Sequence, residues 1–262
     1  MSTVLDQICE KKRVELEALK ADVSFAEMCS RASCAEARAS FKAALMYGAE
    51  NPSVIAELKK ASPSAGLIRA NFLPLQLAKN LAESGAAALS VLTEKNYFQG
   101  CIGYLRDVAK IVGIPLLRKD FIFDPYQIAE AKANGASAVL LIAAMLEKPK
   151  FAELYAFAKS MSLDVLSEAH DAREIEMLSD CGADIIGVNC RNLKNFSTDF
   201  DAASQLLKLI PEGTVKVAES AINSREKLLR AREAGADAVL VGTALMSKKE
   251  PAEELKKLLG KI

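Results

Sequence analysis

Charged and polar side chains interrupt this sequence at points where a buried strand would end. In PLLRKDFIF, residues 115–123, an apolar run leads directly into Arg118, Lys119 and Asp120. Burying an ionised side chain is unfavourable unless the charge is paired, and clusters of titratable groups in one concave site favour function. The same pattern recurs at residues that end other apolar runs, namely Glu57, Lys59, Glu94, Glu168, Asn189, Glu219 and Ser220.

Four segments resemble one another and indicate how such strand ends are positioned. They are ESGAAALSVL (83–92), NGASAVLLI (134–142), CGADIIGV (181–188) and EAGADAVLVG (233–242). Each segment finishes a helical pattern with glycine and alanine and then begins a short apolar run. Because glycine suits the left-handed residue just past a helix C-terminus, the repeat predicts helices that alternate with strands.

Eight strands are predicted on this basis, at 54–59, 88–94, 115–120, 138–144, 164–169, 185–189, 215–220 and 238–243. Strands that alternate with helices form a parallel sheet, and near-continuous apolar strands are buried on both faces. Eight such units predict an α/β fold, a (β/α)8 TIM barrel, whose site lies at the C-terminal ends of the strands. An open doubly wound sheet is the alternative, although no GxGxxG motif follows the first strand to favour it.

Five of the residues that end these strands would surround one mouth of the barrel, namely Glu57, Lys119, Glu168, Asn189 and Glu219. A catalytic or binding site is the favoured interpretation, and a ring of salt bridges that closes the barrel top is the alternative. His170 follows Glu168 by two positions and is interpreted as a structural or helix-capping residue rather than a base. The loop KKASPSAG, residues 59–66, either folds over a ligand or is a plain surface connection.

The ends of the seventh and eighth strands, AESAI and VGTALM, predict a phosphate site. In barrels of this type the loops after these two strands, with a short helix N-terminus, often bind phosphate. Gly242 would permit close approach of the backbone, while Ser220 and Thr243 supply hydroxyl donors. A tight turn at Gly242 without a ligand is the alternative.

The first 50 residues are predicted to form an N-terminal helical extension packed on the barrel, so that residues 1–262 form a single barrel domain. Thr3 and Asp6 have the spacing of a capping box, and apolar residues that follow mark a partly amphipathic helix. No flexible linker separates this region from the first strand, and so short a piece has little core of its own.

Composition excludes several classes of protein. Lysine plus arginine and aspartate plus glutamate both number 34, so the net charge is zero and no basic surface for nucleic acid is expected. The six cysteines form no CxxC pair and there is one histidine, which argues against a metal site. Charges near the N-terminus exclude a signal peptide, and no apolar run is long enough for a membrane span. We expect a soluble, cytoplasmic protein that does not bind membranes.

A run of motifs between residues 54 and 246 resembles the indole-3-glycerol phosphate synthase family. The motifs are VIAELKKASPSAG, LSVLTEKNYFQG, PLLRKDFIFDPYQIAEA, GVNCRNLKNFSTD, VAES and LVGTALM, in the order of that family. The N-terminal helical extension resembles that of the family as well. The resemblance implies ring closure of 1-(2-carboxyphenylamino)-1-deoxyribulose 5-phosphate to indole-3-glycerol phosphate, with loss of carbon dioxide and water. It implies no metal and no organic cofactor.

The resemblance also implies roles for individual residues. Lys119 would be the general acid that activates the ketone, and Glu168 would assist dehydration with Lys59 and Glu57 as its partners. Lys59, Ser62 and Arg191 would hold the substrate carboxylate. Asn189 would bind the sugar hydroxyls, Glu219 would orient lysines and hydroxyls, and Phe121 would line the pocket of the aromatic ring. The phosphate would be bound by Ser220, Ala221, Gly242 and Thr243.

The sequence departs from the family pattern at several positions. Ala221 replaces a usual glycine in the phosphate loop, and a β-carbon there costs of order 1 kcal/mol if the loop needs a positive φ. Cys190 replaces a common asparagine, LSEAHD is a variant of a more usual LVEVHD, and PSAG has alanine where lysine is frequent.

Two alternatives stay open, another phosphate-binding barrel such as phosphoribosylanthranilate isomerase, and a non-enzymatic homologue that binds a phosphorylated metabolite. The isomerase would need a cysteine–aspartate acid–base pair, and no cysteine ends the first strand. Association with other tryptophan-pathway enzymes is also possible.

Overall fold

A computed structural model of the 262-residue chain describes residues 3–46, 48, 51–189, 191 and 199–262. Two parts of the sequence motifs, Cys190 and the segment 192–198, lie outside the described residues. All eight strands of the predicted sheet lie within the described part of the chain.

Eight parallel strands form a closed barrel, which confirms the predicted (β/α)8 fold and excludes the open sheet. Each strand pairs with its neighbours in sequence, and the first closes on the eighth with Ser53 opposite Ala238. The strands are β1 Ser53–Leu58, β2 Ala88–Leu92, β3 Leu116–Lys119, β4 Ala138–Ile142, β5 Asp164–Ala169, β6 Ile185–Asn189, β7 Val215–Glu219 and β8 Ala238–Val241.

Several observed strands end before the predicted ones, because the residues beyond them leave the hydrogen-bonded ladder. Ala143 and Ala144 belong to a 3-10 helix, Ala143–Met145, and Thr243 begins a short helix. After β1 the chain makes a small antiparallel hairpin of Ala61–Ser62 with Gly66–Leu67. The residues just beyond the strands therefore form loops and short helices at the barrel mouth.

Helices fill the connections, as the sequence pattern predicts. In chain order they are α1 Val4–Asp22, α2 Phe25–Ser33, α3 Phe41–Leu45, α4 Pro74–Glu83, α5 Ile102–Ala109, α6 Pro125–Ala133, α7 Lys148–Ser160, α8 Ala172–Asp180, α9 Phe200–Leu207, α10 Arg225–Glu233, α11 Thr243–Met246 and α12 Pro251–Leu259. Local signals set their starts: Asp124 caps α6 ahead of Pro125, and Ser224 caps α10. None of the helices in the described ranges is long and apolar enough to cross a membrane.

The N-terminal extension runs along the barrel from one end to the other. Its first helix is capped by Thr3 and Asp6, whose side chains and backbones form the predicted capping box. Residues at the start of α1 line a cavity at the C-terminal ends of the strands, while α2 packs against α6. Phe41 and Leu45 of α3 are fully buried in the cluster that includes Ala88, Ala138 and the other side chains inside the barrel, so α3 closes its opposite end. The assignment of residues 1–262 to one domain stays a prediction.

Candidate active site

A cavity of about 580 Å³ opens at the C-terminal ends of the barrel strands. Strand-end residues from β1, β3, β5, β6 and β7 meet in its wall, together with the loops after β7 and β8. It is lined by every residue that the sequence predicts for the site, namely Glu57, Lys59, Ser62, Lys119, Phe121, Glu168, Asn189, Arg191, Glu219, Ser220, Ala221, Gly242 and Thr243. Proximity does not test their individual roles, which stay predictions.

Lys119 lies at the centre of the charged part of this wall. Its Nζ donates to Oε2 of Glu219 at 2.6 Å and to Oε2 of Glu168 at 3.0 Å. The three side chains are almost fully buried, with 13% of Lys119, 3% of Glu168 and 1% of Glu219 exposed. An ammonium held between two carboxylates is a charge arrangement that can donate a proton to a bound ligand.

The neighbouring charges, Arg118 of β3 and Asp120 just beyond it, are held in ion pairs with other residues, although Asp120 also lines the cavity wall. Arg118 pairs with Glu130 of α6 at 2.8 Å and with Asp120 at 3.1 Å. Asp120 also pairs with Lys12 of α1 at 3.0 Å. Successive strand residues face opposite sides of a sheet, which is why Lys119, and not Arg118, carries its charge over the mouth. Arg118 and Asp120 instead tie β3 to the helices outside it.

A second buried ion pair joins Lys59 and Glu57, whose Nζ and Oε2 are 2.6 Å apart. Gly242 lies directly against this pair, so a β-carbon at that position would overlap Oε2 of Glu57 and lie 2.9 Å from Nζ of Lys59. The backbone of Gly242 has φ −116°, which any residue adopts, so no left-handed turn requires glycine here. Glycine makes room for the ion pair, a function that the sequence did not reveal.

Gly187 has a comparable role on the opposite side of Lys119. It lies in the middle of β6, where a β-carbon would overlap Oε1 of Glu219 and lie 3.1 Å from the side chain of Leu166. The signal for it was present, because a glycine inside an apolar strand often marks a close approach. Sequence reasoning did not use that signal, and Gly187 was missed.

Asn189 connects the two sides of the mouth through its amide. Its Nδ2 donates to Oε1 of Glu168 at 3.2 Å, while its Oδ1 accepts from Oγ of Ser220 at 2.8 Å and from the backbone N–H of Arg191 at 3.0 Å. Arg191 extends towards the hairpin after β1, where its Nη1 lies 3.4 Å from Oγ of Ser64. These contacts link Glu168 to the loop after β7 and to the chain beyond β6.

Burial and charge act differently on the three central groups. Burial by itself lowers the pKa of Lys119, but the carboxylates of Glu168, Glu219 and Glu57 outweigh it and hold that pKa above its usual value. Burial raises the pKa of Glu219 to about 7, against the opposing effect of Lys119. For Glu168 burial is overcome by Lys119 and His170, which lower its pKa. Burial and charge therefore shift the pKa values of the two carboxyls in opposite directions, downwards for Glu168 and upwards for Glu219.

The loops after β7 and β8 form one end of the cavity. Ser220 and Ala221 both have left-handed backbones, with φ 66° and 59°, so the positive φ that makes alanine unfavourable at 221 is present. Two lysines that sequence reasoning missed, Lys227 and Lys248, line the cavity beside Ser220 and Thr243. Their ammonium groups and the hydroxyls suit an anion at this end.

The other end of the cavity is apolar. Val4, Leu5 and Ile8 of α1 line it together with Phe121. Phe98 lies next to Phe121, with ring centroids 6.0 Å apart. Sequence reasoning did not place α1 or Phe98 here, because nothing local to those residues indicates which part of the barrel they contact.

Glu94, which ends an apolar run in the sequence, serves the structure rather than the cavity. Its carboxylate accepts from the backbone N–H groups of Asn96, Tyr97 and Phe98 at 2.7–2.9 Å. Glu94 therefore shapes the loop that carries Phe98 to the apolar end. It shows that a charge at a strand end is not by itself a sign of contact with a ligand.

Comparison with known proteins identifies relatives over almost the entire chain. The family model described as indole-3-glycerol phosphate synthase matches residues 5–258. The indole-3-glycerol phosphate synthase of Koribacter versatilis is 46% identical over 261 residues, which cover 99% of this chain and 100% of the relative. That of Burkholderia multivorans is 43% identical over 260 residues, with coverages of 98% and 99%.

Similarity to solved structures is more distant and concerns the fold alone. A mutant tryptophan synthase alpha-subunit from Pyrococcus furiosus has a TM-score of 0.61 at 16% identity, covering 79% of this chain and 98% of that chain. Thiamine phosphate pyrophosphorylase from Pyrococcus furiosus has a TM-score of 0.61 at 12% identity, with coverages of 84% and 96%. The full-length family match and the identities above 40% show that this chain belongs to the indole-3-glycerol phosphate synthase family.

Proposed function

We propose that this chain is a carbon–carbon lyase that converts 1-(2-carboxyphenylamino)-1-deoxyribulose 5-phosphate into indole-3-glycerol phosphate, carbon dioxide and water. Membership of the family supports this reaction. The structural observation that carries the proposal is the Lys119 ammonium, held by Glu168 and Glu219 in the wall of a cavity. Cationic residues lie on both sides of it, which suits a substrate with a phosphate and a carboxylate.

Four groups of the substrate are held by different parts of the cavity. Its phosphate binds the loops at Ser220, Ala221, Gly242 and Thr243, and its aromatic ring packs in the apolar end beside Phe121. Its carboxylate binds Lys59, Ser62 and Arg191, while Asn189 contacts the sugar hydroxyls. Holding both charged ends fixes the rotatable bonds between them before reaction, and such positioning can lower a barrier by several kcal/mol.

Ring closure is the first chemical stage. The ring carbon that bears the carboxylate attacks the ketone carbon, and the ketone oxygen takes a proton from Lys119. Carbon dioxide then leaves, and the electron pair of the broken bond restores the aromatic ring. General acid catalysis of this kind contributes roughly 10²–10⁴-fold, and the carboxylates around Lys119 keep its proton in place until the ketone oxygen becomes basic.

Dehydration is the second stage, and the same charges prepare Glu168 for it. While Lys119 is an ammonium, it lowers the pKa of Glu168 and makes it a weak base. Once Lys119 has given up its proton, Glu168 loses that positive neighbour and becomes more basic. It can then accept the proton lost from the ring carbon adjacent to the carbon that bears the hydroxyl. The hydroxyl departs as water with a proton from the Lys59 ammonium, and the electron pair of the broken C–H bond forms the indole double bond. Glu57 and Lys59 are its partners in the wall.

The experiment is an assay of indole fluorescence after the carboxyphenylamino ribulose phosphate is added to the purified protein. We expect turnover by the wild type and its loss in Lys119→Ala, with far-UV circular dichroism and the melting curve close to native. Near-normal turnover by that variant would refute the role of Lys119. Isomerisation of phosphoribosylanthranilate, or binding of the substrate without indole formation, would instead support one of the two alternatives.

The cellular setting belongs to the same proposal. A small-molecule biosynthetic reaction suits a cytoplasmic protein, and other tryptophan-pathway enzymes are the partners that would benefit from association with it. Co-purification of the tagged chain with those enzymes from a cytoplasmic fraction tests both points. Recovery of the chain alone, in a membrane or secreted fraction, would contradict them.

A further inference from the structure

His170 lies between two carboxylates, immediately after β5. Its Nε2 is 3.3 Å from Oε1 of Glu168, and its Nδ1 is 3.3 Å from Oε2 of Glu174. Its backbone N–H also donates to Oε2 of Glu174 at 2.7 Å. The cap of α8 is Asp171, which accepts from the N–H of Glu174 at 2.9 Å. Asp171, and not His170, therefore caps α8. The His170 ring contacts Glu168 and Glu174 instead.

The ring stands behind Glu168 rather than in the cavity. Glu168 lines the cavity wall and His170 lies outside the lining residues, with 16% of its side chain exposed. A neutral imidazole has one N–H donor and one acceptor, so it cannot donate to both carboxylates. Two facing carboxylates therefore favour the imidazolium, and together they overcome burial and raise the pKa of His170 to about 10.

The carboxylate of Glu168 is consequently held from three directions. Lys119 contacts its Oε2 at 3.0 Å, while Asn189 and His170 approach its Oε1 at 3.2 and 3.3 Å. Of these three, Lys119 changes its charge during the proposed reaction. Asn189 is neutral throughout. His170 is the contact that supplies a constant positive charge while Lys119 is deprotonated.

We propose that His170, held by Glu174, is a cationic positioning residue that fixes the orientation and the ionised state of Glu168 for the dehydration stage. The inference rests on the proposed function, because it assigns a role within that reaction. His170 touches no reacting atom and acts through Glu168. Without its charge, Glu168 would turn away from the substrate or would be protonated from solvent before the dehydration stage and could not act as its base.

The charged groups around this pair define the expected pH dependence. Glu168 faces Lys119 of β3 and His170. The Lys119 ammonium also interacts with Glu219 of β7 and with Glu57 of β1. His170, which follows β5, faces Glu168 of β5 and Glu174 of α8. Loss of the imidazolium removes one of two positive neighbours of Glu168, which raises the pKa of that carboxyl by about one unit or more. Loss of Glu174 lowers the pKa of His170.

The test compares His170→Gln, His170→Arg, Glu174→Gln and the wild type by kcat/KM as a function of pH. For His170→Gln we expect kcat/KM to fall approximately tenfold near neutral pH. Because the pKa of Glu168 rises when the imidazolium is lost, kcat/KM should fall further as the pH is lowered. His170→Arg should recover most of the loss, because it restores the positive charge. Glu174→Gln should leave the acidic limb in place and shift the alkaline limb downwards, because the imidazolium then loses its proton at lower pH.

Glu176→Gln is the matched control, because Glu176 lies exposed on the same helix and should leave both limbs unchanged. A His170→Gln profile that superimposes on that of the wild type would overturn the inference while leaving the proposed function intact. Inactive wild-type protein would instead reject the proposed function itself. If His170→Gln does not fold, the alkaline shift in Glu174→Gln decides the question, and its absence counts against the inference.

Discussion

Substitution of Gly242 by alanine tests how much the Glu57–Lys59 ion pair contributes to kcat/KM. The new β-carbon would overlap Oε2 of Glu57 and lie 3.0 Å from its Cδ. The backbone tolerates alanine, since φ is −116°, so the whole effect falls on the ion pair. Only 4% of the Glu57 side chain is exposed, and a carboxylate packed in this way has to rotate away from Lys59 to escape.

The size of the effect follows from the contact that is lost. Coupling between closely approaching opposite charges amounts to roughly 1.5 kcal/mol or more, and each 1.4 kcal/mol corresponds to about tenfold in rate. We therefore expect kcat/KM for Gly242→Ala to fall by about 10- to 100-fold. Overpacking should also lower the free energy of unfolding, by about 1–3 kcal/mol, which urea denaturation measures alongside the fluorescence assay.

Two further variants separate this cause from others. Gly113→Ala is the matched control, because a β-carbon at Gly113 meets no atom within 4 Å, and activity should be unchanged. In a Glu57→Ala background the overlap with the carboxylate no longer exists, and only the end of the flexible Lys59 side chain, 2.9 Å from the new β-carbon, has to shift. Adding Gly242→Ala should therefore have little further effect on kcat/KM. Gly242→Ala activity within twofold of the wild type, or a full additional loss in the Glu57→Ala background, would refute the reasoning.

Two other predictions concern the supporting structure. Lys12→Met removes the contact of α1 with buried Asp120 and should lower the free energy of unfolding by about 1–3 kcal/mol at pH 7. Burial opposes ionisation of Asp120, but Arg118 and Lys12 outweigh it and lower its pKa. This contribution is therefore fully present above the ordinary aspartate range and should shrink progressively as the pH falls below about 4, through the lowered pKa. A difference in urea denaturation that does not shrink between pH 7 and the lowest pH at which the protein stays folded would contradict it. Ala221→Val places a branched side chain at φ 59°, which should cost about 1–2 kcal/mol of stability and weaken inhibition by inorganic phosphate. Ala221→Gly should instead stabilise the protein by up to about 1 kcal/mol, because glycine adopts a positive φ without strain. Equal behaviour of the two variants would argue against backbone strain.

Much of the architecture was determined by the sequence alone. The Gly-Ala segments that end helices and begin strands recur often enough to predict eight alternating units, because helix ends and buried strands are both local features. Helix starts are local in the same sense, since Asp124 ahead of Pro125 and Ser224 ahead of Arg225 cap their helices with side chains a few residues away in sequence. The strand ends also placed Lys119, Glu168 and the other predicted residues around one cavity, since the C-terminal ends of barrel strands share one face.

Side-chain direction and contacts between distant residues were decided only by the tertiary structure. The sequence shows Arg118, Lys119 and Asp120 only as a run of charged residues. Because side chains alternate in direction along β3, and its register with β2 and β4 is fixed, the ammonium of Lys119 faces the centre of the barrel mouth. Lys119 and Glu219, 100 residues apart, meet at 2.6 Å. Gly242 and Gly187 are required by carboxylates from other strands, and α1 reaches the apolar end of the cavity through long-range packing. Local sequence carries no record of such neighbours, because they exist only once the closed barrel brings separate strands to a common rim.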